Sequence, residues 1–391
     1  MDLSPTTEAE LVDAVRDAHG TRTPLAIEGG GTRAGLGRAA QTERTLSLAK
    51  LSGITLYEPA ELVIAAKAGT PLAEIEDTLA ARNQMLAFEP VDHRALYSSS
   101  GTPTIGAVAA CNISGPRRIS HGAARDSFIG VRLVNGTGEA IKSGGRVMKN
   151  VTGLDLVKLS SGAYGTLGAF SEVTFKVQPR PETEATLVLH GLDDVAAVQV
   201  LSLGLGSPFE VSAAAHLPAG TGASDARTLL RIENFSASVS YRTGALRDLF
   251  GAGESIDADA SRALWADIAA VKFFAAPDDR AIWRISTPPT RGPELVSRLR
   301  RSLEAQCFYD WGGGLVWLAV RDAGGAGAAA IRATTQALGG HATLVRASTE
   351  TRAAVDVFEP LAEGALRLTK GIKAAFDPAG ILNPGRMYAG V

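Results

Sequence analysis

The stretch EGGGTRAGLG, residues 28–37, holds the first residues able to do chemistry. Gly29, Gly30, Gly31, Thr32 and Gly35 offer main-chain N–H groups that no side chain crowds, the raw material of an anion cradle. Two familiar cradles can be tried on it. The dinucleotide fingerprint G-x-G-x-x-G/A lies on Gly29, Gly31 and Ala34, but it requires a helix opening directly from the loop and an acid ~20 residues on for a ribose. Here GLGRAAQ keeps breaking the chain, and the acid position is Leu51 or Ser52; Glu43 and Glu58 miss it. A Walker A loop fails because no Gly-Lys-Ser/Thr comes after it. An anion nest between two strands and an ordinary glycine-rich turn both remain open.

A second stretch, Gly101 to Glu139, bears on the choice. Gly106, Ala107, Ala109 and Ala110 make a helix thin enough for close backbone approach. Ser114, Gly115 and Pro116 then set a turn beside two cations, Arg117 and Arg118, with Arg125 a little further on. Between residues 101 and 180, ten Lys/Arg oppose four Asp/Glu, a local excess of +6 in a chain of net -2. Arginines beside a Gly/Ala helix suit phosphate, whereas a solvated basic face would need no such helix. Elsewhere the chemistry thins out. The six histidines (His19, His93, His121, His190, His216, His341) stand singly, without metal-ligand spacing. Arg284 and the Arg298, Arg300, Arg301 group could hold a carboxylate, although ELVSRLRRSL reads equally as a solvated helix face.

These residues need elements to position them. Thr7-x-x-Glu10 forms a capping box ahead of a helix burying Leu11, Val15 and Ala18. TPLAIE (23–28) and ELVIAAKAG (61–69) read as strands, and Thr70-Pro71 opens a helix to about Arg82. FSEVTFKV (170–177) alternates as a half-buried strand does. QPRPETE (178–184) marks a domain boundary. Beyond it the order is strand, helix (193–204), strand (209–217), strand (228–235), helix (238–250), a ferredoxin-like pattern. No internal repeat stands out. The last helix, from about residue 360, puts Leu368, Ile372 and Phe376 on one face and stops at Asp377-Pro378.

Composition bounds the rest. At 391 residues two domains are expected, and 45% hydrophobic with 20% charged residues describes a globular chain. A net charge of -2 argues against a nucleic-acid partner. No apolar run approaches the ~20 residues of a membrane span, and MDLSPTTEAELVDAV lacks the pattern of a secretory signal. Two cysteines without C-x-x-C, Cys111 and Cys307, argue against a disulfide framework, a zinc site and an iron–sulfur site, so a reducing cytoplasm is expected.

SGPRRISHGAARDSFIGVRLVNGTGE, GGRVMKNVTGLDLVKLSSGAYGTLGAFSEVTFKVQPRP and FDPAGILNPGRM, in that order, resemble the vanillyl-alcohol-oxidase family of flavoproteins, in its branch of FAD-binding glycolate oxidase subunits. The resemblance covers residues 1–185 and resumes at the C-terminus. It implies an α+β chain: a two-subdomain PCMH-type FAD-binding domain (1–180), a smaller ferredoxin-like α+β cap domain (181–355), and a C-terminal helix and tail (356–391) returning to the first. FAD would lie between the subdomains. Gly29, Gly30, Gly31, Thr32 and Gly35 would nest its pyrophosphate, and Thr104, Gly106, Cys111, Ser114 and Gly115 would line the flavin and ribityl chain. Arg117, Arg118 and Arg125 would lie nearby, Gly165, Thr166 and Gly168 would wall one side, and Asn383, Gly385 and Arg386 would close it. With no histidine in TRAGLG the attachment would be non-covalent; Cys111 reads as a small buried thiol, and His121 as a hydrogen-bonded residue able to touch the cofactor. Relatives acting on 2-hydroxy acids carry G-D-G-N-x-H and E-H-G blocks. Here GGGLVW puts Gly313 and Trp317 at the acid and histidine, and RASTETRAAVD lacks E-H-G. The resemblance therefore implies a subunit for glycolate oxidation to glyoxylate that serves assembly and electron transfer more than substrate chemistry. A homologous catalytic flavoprotein and an iron–sulfur subunit would be its partners, in the cytoplasm or at the inner membrane. A self-sufficient 2-hydroxy-acid dehydrogenase and a structural partner that has lost FAD are the alternatives; the catalytic residues stay unknown and no metal is expected.

Overall fold

A computed structural model of the protein describes residues 2–145, 153–275 and 278–391. Val147 to Asn150, part of the second block that carries the family resemblance, lie outside the described residues. The first helix, Glu8–Thr21, starts where Thr7 Oγ1 accepts the Glu10 N–H, while the Glu10 carboxylate turns back to Thr6 instead of Thr7. Its buried face, Leu11, Val15 and Ala18, packs on Leu25 and Leu46 of a two-stranded parallel ribbon, Leu25–Glu28 with Arg44–Ser47. A nicotinamide-type loop needs a helix opening from it, and no helix forms between those two strands, so that reading of the glycines is excluded.

Five antiparallel strands make the next layer, in the order Ile54–Glu58, Val63–Lys67, Ala169–Lys176, Phe128–Val134, Ala140–Gly144. Leu72–Ala80 and Ile105–Cys111 contribute Ile75, Leu79 and Val108 to its core beside Phe128 and Phe175. Each such side chain stabilises the fold by about 1.5–3 kcal/mol through burial. Ala169–Lys176 is more enclosed than its alternation suggests: Ser171 and Thr174 are buried along with Val173 and Phe175, because the strand is central. The helix after Thr70 begins one residue later than expected, with Pro71 at its cap position.

At QPRPETE the chain makes a short pair, Gln178–Pro179 with Gln84–Met85, and then enters a second sheet of eight strands. Thr183–His190, helix Asp194–Leu205, Val211–Leu217, Arg227–Asn234, helix Ser236–Phe250 and Glu254–Ile256 form one β-α-β-β-α-β run. Arg280–Ser286, helix Gly292–Leu299, Ala305–Asp310, Leu315–Arg321, helix Ala328–Ala337 and His341–Arg346 form another. Each run lays its strands side by side in the order fourth, first, third, second. The two second strands meet, His216 opposite Tyr309, and fuse the halves. The ferredoxin-like pattern is thus present twice, a repeat of topology that leaves no repeat of sequence.

The last helix, Glu363–Phe376, departs from expectation. Leu368, taken for its packed face, is 69% exposed, and only Lys373 is buried. The Lys373 ammonium donates to Asp377 Oδ2 at 2.7 Å, to the Leu382 carbonyl at 2.7 Å and to the Thr166 carbonyl at 2.8 Å. This helix is pinned by a polar anchor at its end.

Candidate functional site

The glycine loop lies directly against residues 101–104. A Cβ on Gly30 would come 1.9 Å from the Thr102 carbonyl oxygen, and one on Gly101 would come 1.7 Å from that of Gly30. Gly31 adopts φ +74°, which favours glycine. A cleft opens between the two segments. Gly29, Gly30, Gly31 and Thr32 line it from one side, Thr104, Gly106 and Cys111 from the other, with Gly165 and Gly168 along the wall. Asn383 and Arg386 reach it from the C-terminus. Asn383 Oδ1 accepts the Ile27 N–H at 2.8 Å, its Nδ2 donates to the Tyr164 carbonyl at 2.7 Å, and Arg386 donates to the Arg33 carbonyl at 3.1 Å. The chain end thereby holds the loop in place.

The cleft contains polar groups that the protein does not satisfy. Arg33 is 7% exposed, and its Nη2 donates to the Val91 carbonyl at 2.6 Å. Its Nε and Nη1, and Thr104 Oγ1, are buried without a hydrogen-bond partner. Buried polar groups are nearly always paired, and an unpaired one costs about 1–3 kcal/mol, more when charged. Two unpaired guanidinium donors and an unpaired hydroxyl on residues that line one glycine-rich cleft fit a bound anion with hydroxyls or carbonyls attached, and an FAD diphosphate with its ribityl chain fits that description.

Other expected contacts lie elsewhere. The Gly35 carbonyl accepts from Arg352 Nη1 at 3.1 Å, Thr166 Oγ1 donates to the Ala163 carbonyl at 2.7 Å, and the Gly385 N–H reaches the Val391 carbonyl at 2.6 Å; none of the three borders the cleft. Arg125 is on the surface, its Nε donating to the Lys158 carbonyl at 3.2 Å. Arg117 corrects the expectation of paired phosphate-facing arginines. It turns away from Arg118, donating from Nε to Glu233 Oε2 at 2.9 Å and from its backbone N–H to Glu89 Oε2 at 2.9 Å. Buried Arg231 completes this network, donating to Glu89 Oε1 at 2.8 Å. Burial opposes ionisation of Glu233, but Arg231 and Arg117 prevail and hold it at about 2. His121 pairs with Ser120 Oγ at 2.7 Å and borders neither the cleft nor the cavity beyond it.

That inner cavity, about 330 Å³, shares Cys111 and Tyr164 with the cleft. Ser114, Gly115 and Arg118 line it, Ser114 Oγ accepting the Ala124 N–H at 2.8 Å and the Gly115 carbonyl accepting Trp311 Nε1 at 3.2 Å. The eight-stranded sheet supplies Arg284, Asp310, Trp317 and His341. Two guanidinium carbons lie over the Trp311 ring, Arg118 at 4.4 Å and Arg284 at 4.9 Å from its centroid. Burial, then the neighbouring Arg118, lowers Arg284 to about 10, which leaves it charged at neutral pH. Burial pushes the Asp310 carboxyl up to about 7 although it accepts the Trp311 N–H at 2.7 Å. Burial, then Arg33, lowers His93 to about 3 and keeps it neutral. Burial raises the Cys111 thiol, so it stays protonated. Among the described residues no group of three or more His, Cys, Asp or Glu is placed to hold a metal ion.

Arg33, Tyr164, Asp310 and Trp311 escaped the sequence reasoning. Arg33 carried a signal, a cation immediately after Gly-Gly-Gly-Thr; the other three became recognisable only when the second sheet closed over the first.

Residues 2–144 match the family described as FAD binding domain, and residues 357–387 match the FAD linked oxidases, C-terminal domain. Over 386 residues, 97% of each chain, the sequence is 34% identical to glycolate oxidase subunit GlcE of Escherichia coli (strain K12). Glycolate oxidase subunit GlcD of Bacillus subtilis (strain 168) is 37% identical over 139 residues, 36% of this chain and 28% of that one. A crystal structure of p-cresol methylhydroxylase with substrate bound matches at TM-score 0.75 and 15% identity over 98% of this chain and 87% of the other, a likeness of fold. Alkyldihydroxyacetonephosphate synthase matches at TM-score 0.71 and 15% identity over 97% of this chain and 75% of that one. Both family signatures and a relative alike from end to end agree: the chain belongs to the FAD-linked oxidases, alongside the glycolate oxidase subunit GlcE.

Proposed function

We propose that the chain is the FAD-holding subunit of a glycolate oxidase complex, non-covalently binding FAD in the cleft between the glycine loop and residues 101–111. The observation that carries this is the unpaired buried polarity of Arg33 and Thr104, two residues that line a cleft between segments that match the FAD binding domain. Residues 1–180 and 356–391 form the FAD domain and 181–355 the cap. Bound FAD would supply a hydride acceptor that can release electrons singly or in pairs. The chain's own residues do the positioning. Arg33 and the glycine-loop amides balance the diphosphate charge, Thr104 Oγ1 bonds the ribityl side, and Asn383 keeps Ile27 and Tyr164 at fixed spacing across the cleft. Cys111 and Tyr164, which line both spaces, would border the bound flavin.

Proton removal from a hydroxy acid is assigned to the complex, in a homologous catalytic flavoprotein, because Gly313 and Trp317 stand where acting relatives carry an acid and a histidine. Electrons leave through an iron–sulfur partner, this chain having only Cys111 and Cys307, both free. No helix among the described residues is long and apolar enough to cross a membrane, which suits a place in the cytoplasm or on the inner membrane's cytoplasmic face. The test is anaerobic addition of glycolate to the yellow purified chain, alone and then with its co-expressed partner subunits. Bleaching only in the complex is expected; bleaching of the isolated chain would make it a self-sufficient dehydrogenase, and a colourless chain that takes up no FAD would remove the proposal.

A further inference from the structure

The glycine loop continues past the cleft it lines. Residues 29–34 border the cleft, whereas Leu36 is buried against the second sheet with Phe308, Leu315 and Val345. Two arginines claim the carbonyls of this outer part. Arg386 Nη2 donates to those of Arg33 at 3.1 Å and Ala34 at 3.3 Å, and Arg352 Nη1 donates to those of Gly35 at 3.1 Å and Gly37 at 3.2 Å. Arg386 lines the cleft; Arg352 lines neither the cleft nor the inner cavity and makes no ion pair among the described residues. Its own helix, Thr349–Ala354, is fixed to the second sheet by Asp322, the residue after strand Leu315–Arg321. Asp322 Oδ2 accepts the Ser348 N–H at 2.6 Å, and Oδ1 accepts the Thr351 hydroxyl at 2.6 Å. A run of bonds thus leads from the second sheet, through a short helix and one arginine, to the loop.

A peptide unit is planar, so holding the Gly35 and Gly37 carbonyls also sets the N–H groups of Leu36 and Arg38. Those two donate to the Arg33 carbonyl at 3.0 Å and the Arg386 carbonyl at 2.9 Å, on the backbone of two residues that line the cleft. We infer that Arg352 is a positioning residue for the cofactor: from outside the cleft it fixes the peptides that place Arg33 and Arg386, and so couples FAD affinity to the seating of helix Thr349–Ala354 on the second sheet. This rests on the FAD reading of the cleft and adds to it a residue that never touches the cofactor. The coupling runs both ways, because a change in FAD affinity caused by the helix requires an equal change in the helix caused by FAD. Gly37 suits the arrangement: its φ is +91°, and a Cβ there would come 2.9 Å from Arg386 Nε. Both loop bonds of Arg352 come from a single nitrogen, so they call for a cation with several donors and make no use of the guanidinium fork.

Two measurements on the full chain test this. In the first, amide hydrogen exchange of wild type is compared with and without saturating FAD, with helix Ser236–Phe250 of the second sheet's other half as the reference. FAD should slow exchange across residues 349–354 by more than it slows the reference helix, and Arg352→Met should abolish that difference. In the second, FAD is titrated into flavin-stripped variants. Arg352→Met should bind FAD about tenfold more weakly, and Thr351→Val, which frees the helix from Asp322, several-fold more weakly. Arg352→Lys should restore most of the affinity, because an ammonium can donate to both carbonyls; a loss through disturbed folding alone would give lysine no such advantage over methionine. Full FAD affinity in Arg352→Met, or an equal loss in Arg352→Lys, would overturn the inference. So would a wild-type chain that binds FAD with no extra protection at 349–354, a result that needs no variant to fold and leaves FAD in the cleft. A wild-type chain that takes up no FAD would instead remove the FAD reading, and this inference with it.

Discussion

Arg33 and Thr104 carry the cofactor argument because nothing in the protein explains their burial. Apart from the bond from Arg33 Nη2 to the Val91 carbonyl, the polar side-chain atoms of these two cleft-lining residues are buried without a partner. Arg33→Met should therefore lower FAD affinity about ten- to a hundredfold, while the FAD-free chain unfolds at the same temperature or higher. Thr104→Val should weaken FAD several-fold, also without loss of stability in the FAD-free chain; titration with FAD beside thermal unfolding separates the two effects. Asp310 supports a pH prediction. Burial raises its folded pKa from the ordinary carboxylate range to about 7, so its contribution to stability is greatest in acid and is lost as pH rises through about 7. Asp310→Asn keeps an oxygen for the Trp311 N–H and should stabilise the chain at pH 8 by roughly 1–4 kcal/mol, and hardly at all at pH 4. Equal effects at both pH values would count against a buried, titrating carboxyl. The glycine loop was legible from residues 29–32 alone as a cradle or a turn, but the choice needed its packing against Thr102, so close that a Cβ on Gly30 would come 1.9 Å from the Thr102 carbonyl oxygen, which no spacing in sequence encodes.

Elements show why the rest was only half legible. Periodicity revealed the first helix and the strands at 25–28, 63–67 and 169–176, because each buries a regular apolar face. It misled at the C-terminal helix, where Leu368 is exposed and a lysine does the anchoring. Lys373→Met would strand the Asp377 carboxylate and free the tail that carries Asn383 and Arg386. A loss of about 3–5 kcal/mol is expected, with FAD affinity falling alongside; unfolding and titration of the same variant check both. Arg117 misled for a related reason: adjacent arginines in sequence point to different neighbours, and buried carboxylates 28 and 116 residues away claimed this one. The network around Arg231 joins residue 89 of the first half to residue 233 of the second. Arg231→Met, leaving two carboxylates uncompensated, should cost about 3–5 kcal/mol at neutral pH. Glu233 has a depressed folded pKa, so this part of the stability is present above pH 4.5 and is lost as pH falls toward 2; acid unfolding curves of wild type and variant should converge there. Curves that stay parallel down to pH 2 would mean the network contributes nothing.

At the scale of the molecule, two sheets of unlike construction enclose two connected spaces. The five-stranded sheet and its glycine-rich loops make the cleft, and the doubled ferredoxin-like sheet closes the inner cavity with Arg284, Asp310 and Trp317. Doubling was invisible in sequence because a sheet constrains which strands face the core and leaves open which apolar residue fills each place. The loop residues at 29–32 and 104–111 could be named in advance, since their small size shows in any sequence; Arg118 and Arg284 could each be named as a possible anion contact, but not their meeting in one cavity, since they come from opposite halves of the chain. The most direct measurement is equilibrium titration of FAD into the flavin-stripped chain, wild type against Arg33→Met. Saturation at one FAD per chain, with the variant about ten- to a hundredfold weaker and equally stable, is the predicted result. Equal affinity in the two proteins, or no uptake by wild type, would contradict the assignment of the cleft to FAD.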